Sequence, residues 1–147
     1  MTRPIDILVV EDDPADAELT LHALARAGAG PGIEHARDAE AALRTLADGG
    51  TLPRLVLLDL KLPGMTGLQL LERIRANPAT RLLPVVVFTS SAERRDLEGS
   101  YGLGANGYAQ KPVDFAAFGE TIRRLCDFWL GINRVAHPPA APAVERS

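Results

Sequence analysis

The feature that most constrains this chain is the run Leu55-Val56-Leu57-Leu58-Asp59-Leu60, followed at once by the Pro- and Gly-bearing loop Lys61-Leu62-Pro63-Gly64-Met65-Thr66-Gly67. Four consecutive apolar residues without alternation read as a strand buried on both faces, the condition of a strand inside a parallel sheet. Such a sheet needs helices against both faces, and the rest of the chain must supply them. Asp59 then falls at the carboxyl end of the strand, where open α/β sheets place their ligands. Taken alone, it reads equally well as a turn residue that ends a strand.

With that strand included, the chain alternates strand and helix five times. Ile5–Val10 is a short apolar strand ended by Glu11-Asp12-Asp13. Asp13-Pro14 opens a helix, with a capping Asp and Pro at the first helical position, and Ala17, Leu21 and Leu24 form its inner stripe to about Arg26. A glycine-rich turn leads to a second strand over Gly32–Ala36, and Asp38 caps a helix through about Ala47. The central strand is expected over Arg54–Leu60. Thr66 and Gln69 make a capping box for the helix carrying Leu68, Leu71 and Ile74, and Asn77-Pro78 breaks that helix. Leu83–Phe88 is another buried strand, running into Thr89-Ser90-Ser91. A helix is expected from about Ala92 to Tyr101, then a strand over Gly107–Gln110 ended by Lys111-Pro112. Asp114 caps the last helix, with Phe118, Ile122, Leu125 and Trp129 at helical spacing. This order predicts a doubly wound α/β fold with a parallel sheet and right-handed crossovers.

Composition removes several function classes. A net charge of −3 leaves no broad electrostatic footprint for nucleic acid. No apolar run is long enough to span a membrane, and the early acidic triplet cuts off anything resembling a signal peptide. The single cysteine, Cys126, excludes an internal disulfide framework and points to the cytoplasm.

The chemistry collects at strand ends. In a parallel sheet Glu11, Asp12, Asp59, Thr89, Ser90 and Lys111 all arrive at one edge. Three carboxylates repel unless a cation joins them, and an all-oxygen cluster suits Mg²⁺, which keeps several waters and accepts phosphate as a co-ligand. With Lys111 beside it, such a metal would neutralise a phosphoryl group arriving at one carboxylate, and Asp59 is the best acceptor.

With these residues in place, the chain resembles two-component response-regulator receiver domains. The matching segments are Val9-Val10-Glu11-Asp12-Asp13, Leu57–Gly64, Phe88-Thr89-Ser90 and Gln110-Lys111-Pro112, within about residues 5–130. The resemblance implies a flavodoxin-like (βα)5 sheet of order 2-1-3-4-5 in a three-layer α/β/α arrangement. It implies that a partner sensor histidine kinase phosphorylates Asp59, and that the chain catalyses nothing beyond its own phosphorylation and dephosphorylation. Mg²⁺ (or Mn²⁺) would be held by Asp12, Asp59 and the main-chain carbonyl of Lys61, with Glu11 acting through bound water. Thr89, the Ser90 amide and Lys111 would contact the phosphoryl oxygens, and Thr89 and Tyr108 would act as the switch. Lys61 adds a further cation near the site. The first helix would dock the kinase, with Leu19 as a contact.

The C-terminus carries a second resemblance. Phe128-Trp129-Leu130-Gly131-Ile132-Asn133-Arg134 is similar to the arm of stand-alone regulators paired with bacteriophytochrome histidine kinases. A domain over 1–130 is therefore expected, then an arm and a disordered Pro/Ala-rich tail over 131–147. Phe115, Phe128, Trp129, Leu130 and Ile132 either fold back on the domain or form a two-fold subunit interface, hence a homodimer. His22 and His35 read as surface or satisfied polar positions, and Cys126 as a packed thiol.

Three competing readings are weaker. A flavin site would need a hydroxyl-rich phosphate cradle where the chain has Glu11-Asp12-Asp13. An aspartyl phosphatase usually has a second Asp two residues after the first, where Lys61 stands. A phosphate-independent adaptor has no need of an intact acidic triad with Thr89 and Lys111, while a phosphorelay or phosphate-sink module of receiver fold stays the alternative.

Overall fold

The computed structural model describes residues 5–29, 32–47 and 51–136. Among them the chain runs β1 (Ile7–Val10), α1 (Pro14–Arg26), β2 (Ile33–Ala36), α2 (Ala39–Ala47), β3 (Leu55–Leu58) and α3 (Gly67–Ala76). It continues through β4 (Val85–Thr89), α4 (Arg94–Gly102), β5 (Gly107–Gln110), α5 (Phe115–Cys126) and a π-helical segment, Asp127–Ile132. The strands form one parallel sheet in the order β2-β1-β3-β4-β5, the flavodoxin-like topology that the resemblance to receiver domains implies.

The unbroken apolar run of β3 has a direct explanation. Leu55 and Leu57 pack with Ile7, Val9, Val86 and Phe88 beneath α1 and α5. Val56 and Leu58 point the other way, with Leu8, Val10, Val85 and Val87, into the core covered by α2 and α3. Period-two alternation is still present, but both faces are buried, so no polar residue marks it. Phe88 and Phe118 meet edge to face at 5.3 Å and tie β4 to α5.

Several boundaries differ from expectation for local reasons. β3 ends at Leu58, so Asp59 lies just past the strand, with its amide still donating to the Val10 carbonyl. Asp13 holds the cap position of α1, but its side chain makes no capping bond. Its amide donates instead to Glu11 Oε2 at 3.1 Å, which spends the turn on placing Glu11. The buried stripe of α1 is Ala17, Thr20 and Leu24, with Leu21 only half-buried. α4 starts at Arg94 rather than Ala92, because Ser91 Oγ donates to Asp96 and accepts from the Glu93 amide, holding residues 91–93 as an extended lead-in. The caps at Asp38, Asp114 and the Thr66/Gln69 box form as expected.

The last helix departs most. Its buried stripe is Phe118, Ile122 and Cys126, and beyond Cys126 the winding widens into the π-helical segment. Leu130 and Trp129 fold back onto the domain. Arg54 donates to the Leu130 carbonyl at 2.5 Å, and Trp129 lies beside Gly107 of β5. Phe115, Phe128 and Ile132 remain 71, 45 and 69% exposed. The five apolar residues therefore divide between the two expected fates, with Trp129 and Leu130 folded back and Phe115, Phe128 and Ile132 left exposed. The Pro/Ala-rich tail from Pro138 lies outside the described residues.

Candidate functional site

The parallel sheet brings the strand-end residues to one edge. Lys111 follows β5, and its amide donates to the Thr89 carbonyl at 2.7 Å, which fixes where its side chain begins. That side chain runs inward, with only 7% of the residue exposed and Nζ 6.0 Å from the Phe88 ring centroid. Nζ donates to Glu11 Oε1 at 2.5 Å, Asp16 Oδ2 at 2.8 Å and Asp59 Oδ2 at 2.9 Å. Glu11 and Asp59 are themselves buried. Burial of this kind is tolerable only with paired charges and satisfied oxygens. Asp59 Oδ1 also accepts a long bond from the Lys61 amide at 3.3 Å.

The charges of the three buried groups are interdependent. Burial pushes the Glu11 carboxyl up, to about 7, against the opposing hydrogen bond from Lys111 and with help from the Asp59 charge. Burial also pushes Asp59 up, but the hydrogen bond and charge of Lys111 outweigh it, and the Asp59 carboxyl lies below its ordinary value. Burial works against the Lys111 ammonium, yet hydrogen bonds to Asp16, Glu11 and Asp59 leave its pKa raised. One ammonium thus keeps Asp59 ionised while Glu11 titrates near neutrality.

Thr89 Oγ1 is buried and makes no hydrogen bond of good geometry, although it lies near enough to Asp59 to favour that carboxylate's charge. A buried hydroxyl left unpaired costs about 1–3 kcal/mol, so it calls for an explanation. Asp12 and Ser90 are exposed at the same edge, and Lys61 points to solvent. Tyr108 is half-buried and donates its hydroxyl to the Ser91 carbonyl at 2.9 Å, tying β5 to the loop after β4. Leu19 is half-buried and lines a groove of about 430 Å³ between α1 and α5, with Phe115 and Phe118.

Strand-end reasoning missed Asp16 and Gly67, whereas His35 is the satisfied polar position expected of it. Asp16 reaches the site from the first turn of α1. His35 on β2 lies with Nε2 2.8 Å from the Glu11 carbonyl, so this nitrogen carries the proton and donates it, steadying the acidic turn. Gly67 donates its amide to the Leu60 carbonyl, and a Cβ there would strike the Asp59 carbonyl oxygen and Leu60 Cα. Its lack of a side chain lets the loop after Asp59 close on α3. The helix-start signal at Thr66-Gly67 was visible, but the close approach was not.

The donor set fits a hard divalent ion. Among the described residues no three acidic, His or Cys side chains are arranged to hold a metal ion by themselves, and Glu11, Asp16 and Asp59 meet on the Lys111 ammonium instead. Such an ion would therefore be held by few side chains and much water, as Mg²⁺ is.

Comparison with known proteins agrees with this arrangement. A family model described as response regulator receiver domain matches residues 7–123. The probable methanogenesis regulatory protein FilR2 of Methanothrix harundinacea is 40% identical over 139 residues, covering 92% of this chain and 90% of that protein. The crystal structure of the phosphorylated cyanobacterial phytochrome response regulator RcpA superposes with a TM-score of 0.83 at 30% identity, covering 90% of this chain and 99% of that one. The Mn²⁺-bound form of the response regulator Rcp1, a protein of Synechocystis, superposes with a TM-score of 0.79 at 33% identity, covering 90% and 99%.

Proposed function

Because the chain belongs to the response regulator receiver domain family, we propose that Asp59 is its phosphoacceptor and that a sensor histidine kinase is the donor. The observation that carries this reading is the buried Asp59–Lys111 pair at the same edge as the buried Thr89 hydroxyl, which makes no hydrogen bond of good geometry. Phosphoryl oxygens would be the acceptors that Thr89 and Lys111 can serve, with the Ser90 amide beside them. In the transfer an Asp59 oxygen forms the new P–O bond while the P–N bond of the kinase phosphohistidine breaks, and its electron pair stays on the imidazole nitrogen. Asp12, Asp59 and the Lys61 main-chain carbonyl would hold Mg²⁺ or Mn²⁺, with Glu11 acting through water. The ion supplies charge neutralisation for the transferring group. The Mn²⁺-bound relative supports this assignment. The chain is a substrate of signalling chemistry that also promotes its own phosphorylation and dephosphorylation, rather than an enzyme acting on other molecules.

The switch would start at Thr89. Its hydroxyl moves toward the new acceptors, and Tyr108 releases the Ser91 carbonyl to fill the space. The kinase would dock on α1 around Leu19, in the cytoplasm; no helix among the described residues is long and apolar enough to cross a membrane. The likeness to RcpA supports a phytochrome-type kinase as partner. The exposed Phe115, Phe128 and Ile132 would serve a second copy of this chain, with Trp129 and Leu130 holding the arm in place.

Labelling with acetyl phosphate and Mg²⁺ tests the acceptor. The parent chain should take one phosphoryl group by intact mass, and Asp59→Asn none; unchanged labelling of that variant would overturn the assignment. Light scattering tests the arm. The full chain should be a dimer and a chain ending at Asp127 a monomer, whereas a monomer throughout leaves relay or phosphate storage as the output.

A further inference from the structure

An ammonium group has three protons, and in this structure all three of Lys111 are taken. A phosphoryl oxygen can gain Lys111 only by displacing one of Glu11, Asp16 or Asp59. The three are not equally replaceable. The Glu11 and Asp59 side chains are 4% and 8% exposed, whereas that of Asp16 is 31% exposed. Stripping the ammonium from a buried carboxylate leaves an uncompensated charge in a poor dielectric. Returning Asp16 to water costs far less. Asp16 also stands in the first turn of α1, where the helix N-terminus favours a negative charge without Lys111. The second oxygen of Glu11 is further committed to the Asp13 amide.

We propose that Asp16 is a placeholder acceptor: it holds one Lys111 proton until a phosphoryl oxygen takes it, and thereby sets how readily Asp59 is loaded. The inference rests on reading Asp59 as the phosphoacceptor. Asp16 is a positioning residue, acting through Lys111 rather than on the phosphoryl group. Its removal does two things with the same sign. It loosens the hold on one Lys111 proton, since an amide oxygen in the same place is a weaker acceptor than a carboxylate, and it takes away a negative charge that repels the incoming phosphoryl dianion.

The test uses the full-length chain with Mg²⁺ and two probes, acetyl phosphate for labelling rate and beryllofluoride for calorimetric affinity. Asp16→Asn, an isosteric change at a solvent-accessible side chain, should bind beryllofluoride about fivefold tighter and label about fivefold faster. That factor corresponds to about 1 kcal/mol, the scale of one partly exposed ion pair. Asp16→Glu, which keeps the carboxylate, should return both values toward the parent. Asp16→Asn at the parental rate or slower overturns the proposal, whatever its urea midpoint, as does Asp16→Glu behaving like Asp16→Asn. A parent chain that takes neither probe overturns the phosphoacceptor reading and the placeholder together. A labelled parent with an indifferent Asp16→Asn overturns the placeholder alone.

Discussion

Replacing Lys111 by Met removes the ammonium and keeps most of the apolar stem. The change therefore isolates the charge from the packing. Three carboxylate contacts at 2.5, 2.8 and 2.9 Å disappear together. Asp16 can turn to water, so its loss costs little. Glu11 and Asp59 cannot, and removing the partner of a buried charge typically costs about 3–5 kcal/mol. Glu11 already titrates near pH 7 and relieves part of the burden by taking a proton. The expected loss at neutral pH is therefore at the low end, about 3 kcal/mol. With a urea slope of about 2 kcal/mol/M, the midpoint should fall by about 1.5 M. The measurement is urea unfolding in EDTA, followed by circular dichroism. Mg²⁺ should narrow the gap between variant and parent, because a divalent ion among the same carboxylates replaces the missing charge. A variant as stable as the parent in EDTA would refute the reasoning, since the buried carboxylates would then not depend on Lys111.

Two further outcomes follow from packing and burial. Gly67→Ala forces a methyl group into the backbone of Asp59 and Leu60. It should cost about 1–3 kcal/mol in urea unfolding and slow acetyl phosphate labelling, because the displaced segment carries Asp59. The Cys126 thiol is pushed up to about 11, chiefly by burial and further by the Asp127 charge, from an ordinary value of 9.0. Iodoacetamide at pH 8 should therefore alkylate the native chain about a hundredfold more slowly than the urea-unfolded chain, from the smaller thiolate fraction alone. The native rate should keep rising with pH to about 11, where the unfolded rate levels off near 9.

All five strand–helix units were legible because buried apolar runs and side-chain caps are local signals, whereas the order of the strands in the sheet came only from the resemblance to receiver domains. Thr66 with Gln69, and Asp114 with the Ala117 amide, are contacts between near neighbours, and the sequence states them openly. The strand-end groups were legible for a different reason: a parallel sheet puts every strand's carboxyl end on one side. Asp16 escaped that rule because it comes from a helix. An acidic residue in a first turn reads as complementing the helix dipole, and nothing local shows a lysine 95 positions away. Thr20 escaped because a hydroxyl interrupts the apolar spacing of α1, although the position is buried. The division of the C-terminal arm was also hidden. Helical periodicity assumes about 3.6 residues per turn, and the winding after Cys126 does not keep it.

That wider winding makes the aim of the arm a matter of length as much as of composition. One residue advances an α-helix by about 100° and about 1.5 Å. Removing a single residue between Asp127 and Ile132 would let α5 continue regularly, and every side chain beyond would swing to a new bearing. The contacts of Trp129 with β5 and of Leu130 with Arg54 would be exchanged for others, while the acidic edge at the far end of the strands stayed as it is. Two chains with the same receiver core and the same arm residues, differing by one position in this segment, would thus offer different surfaces to a partner.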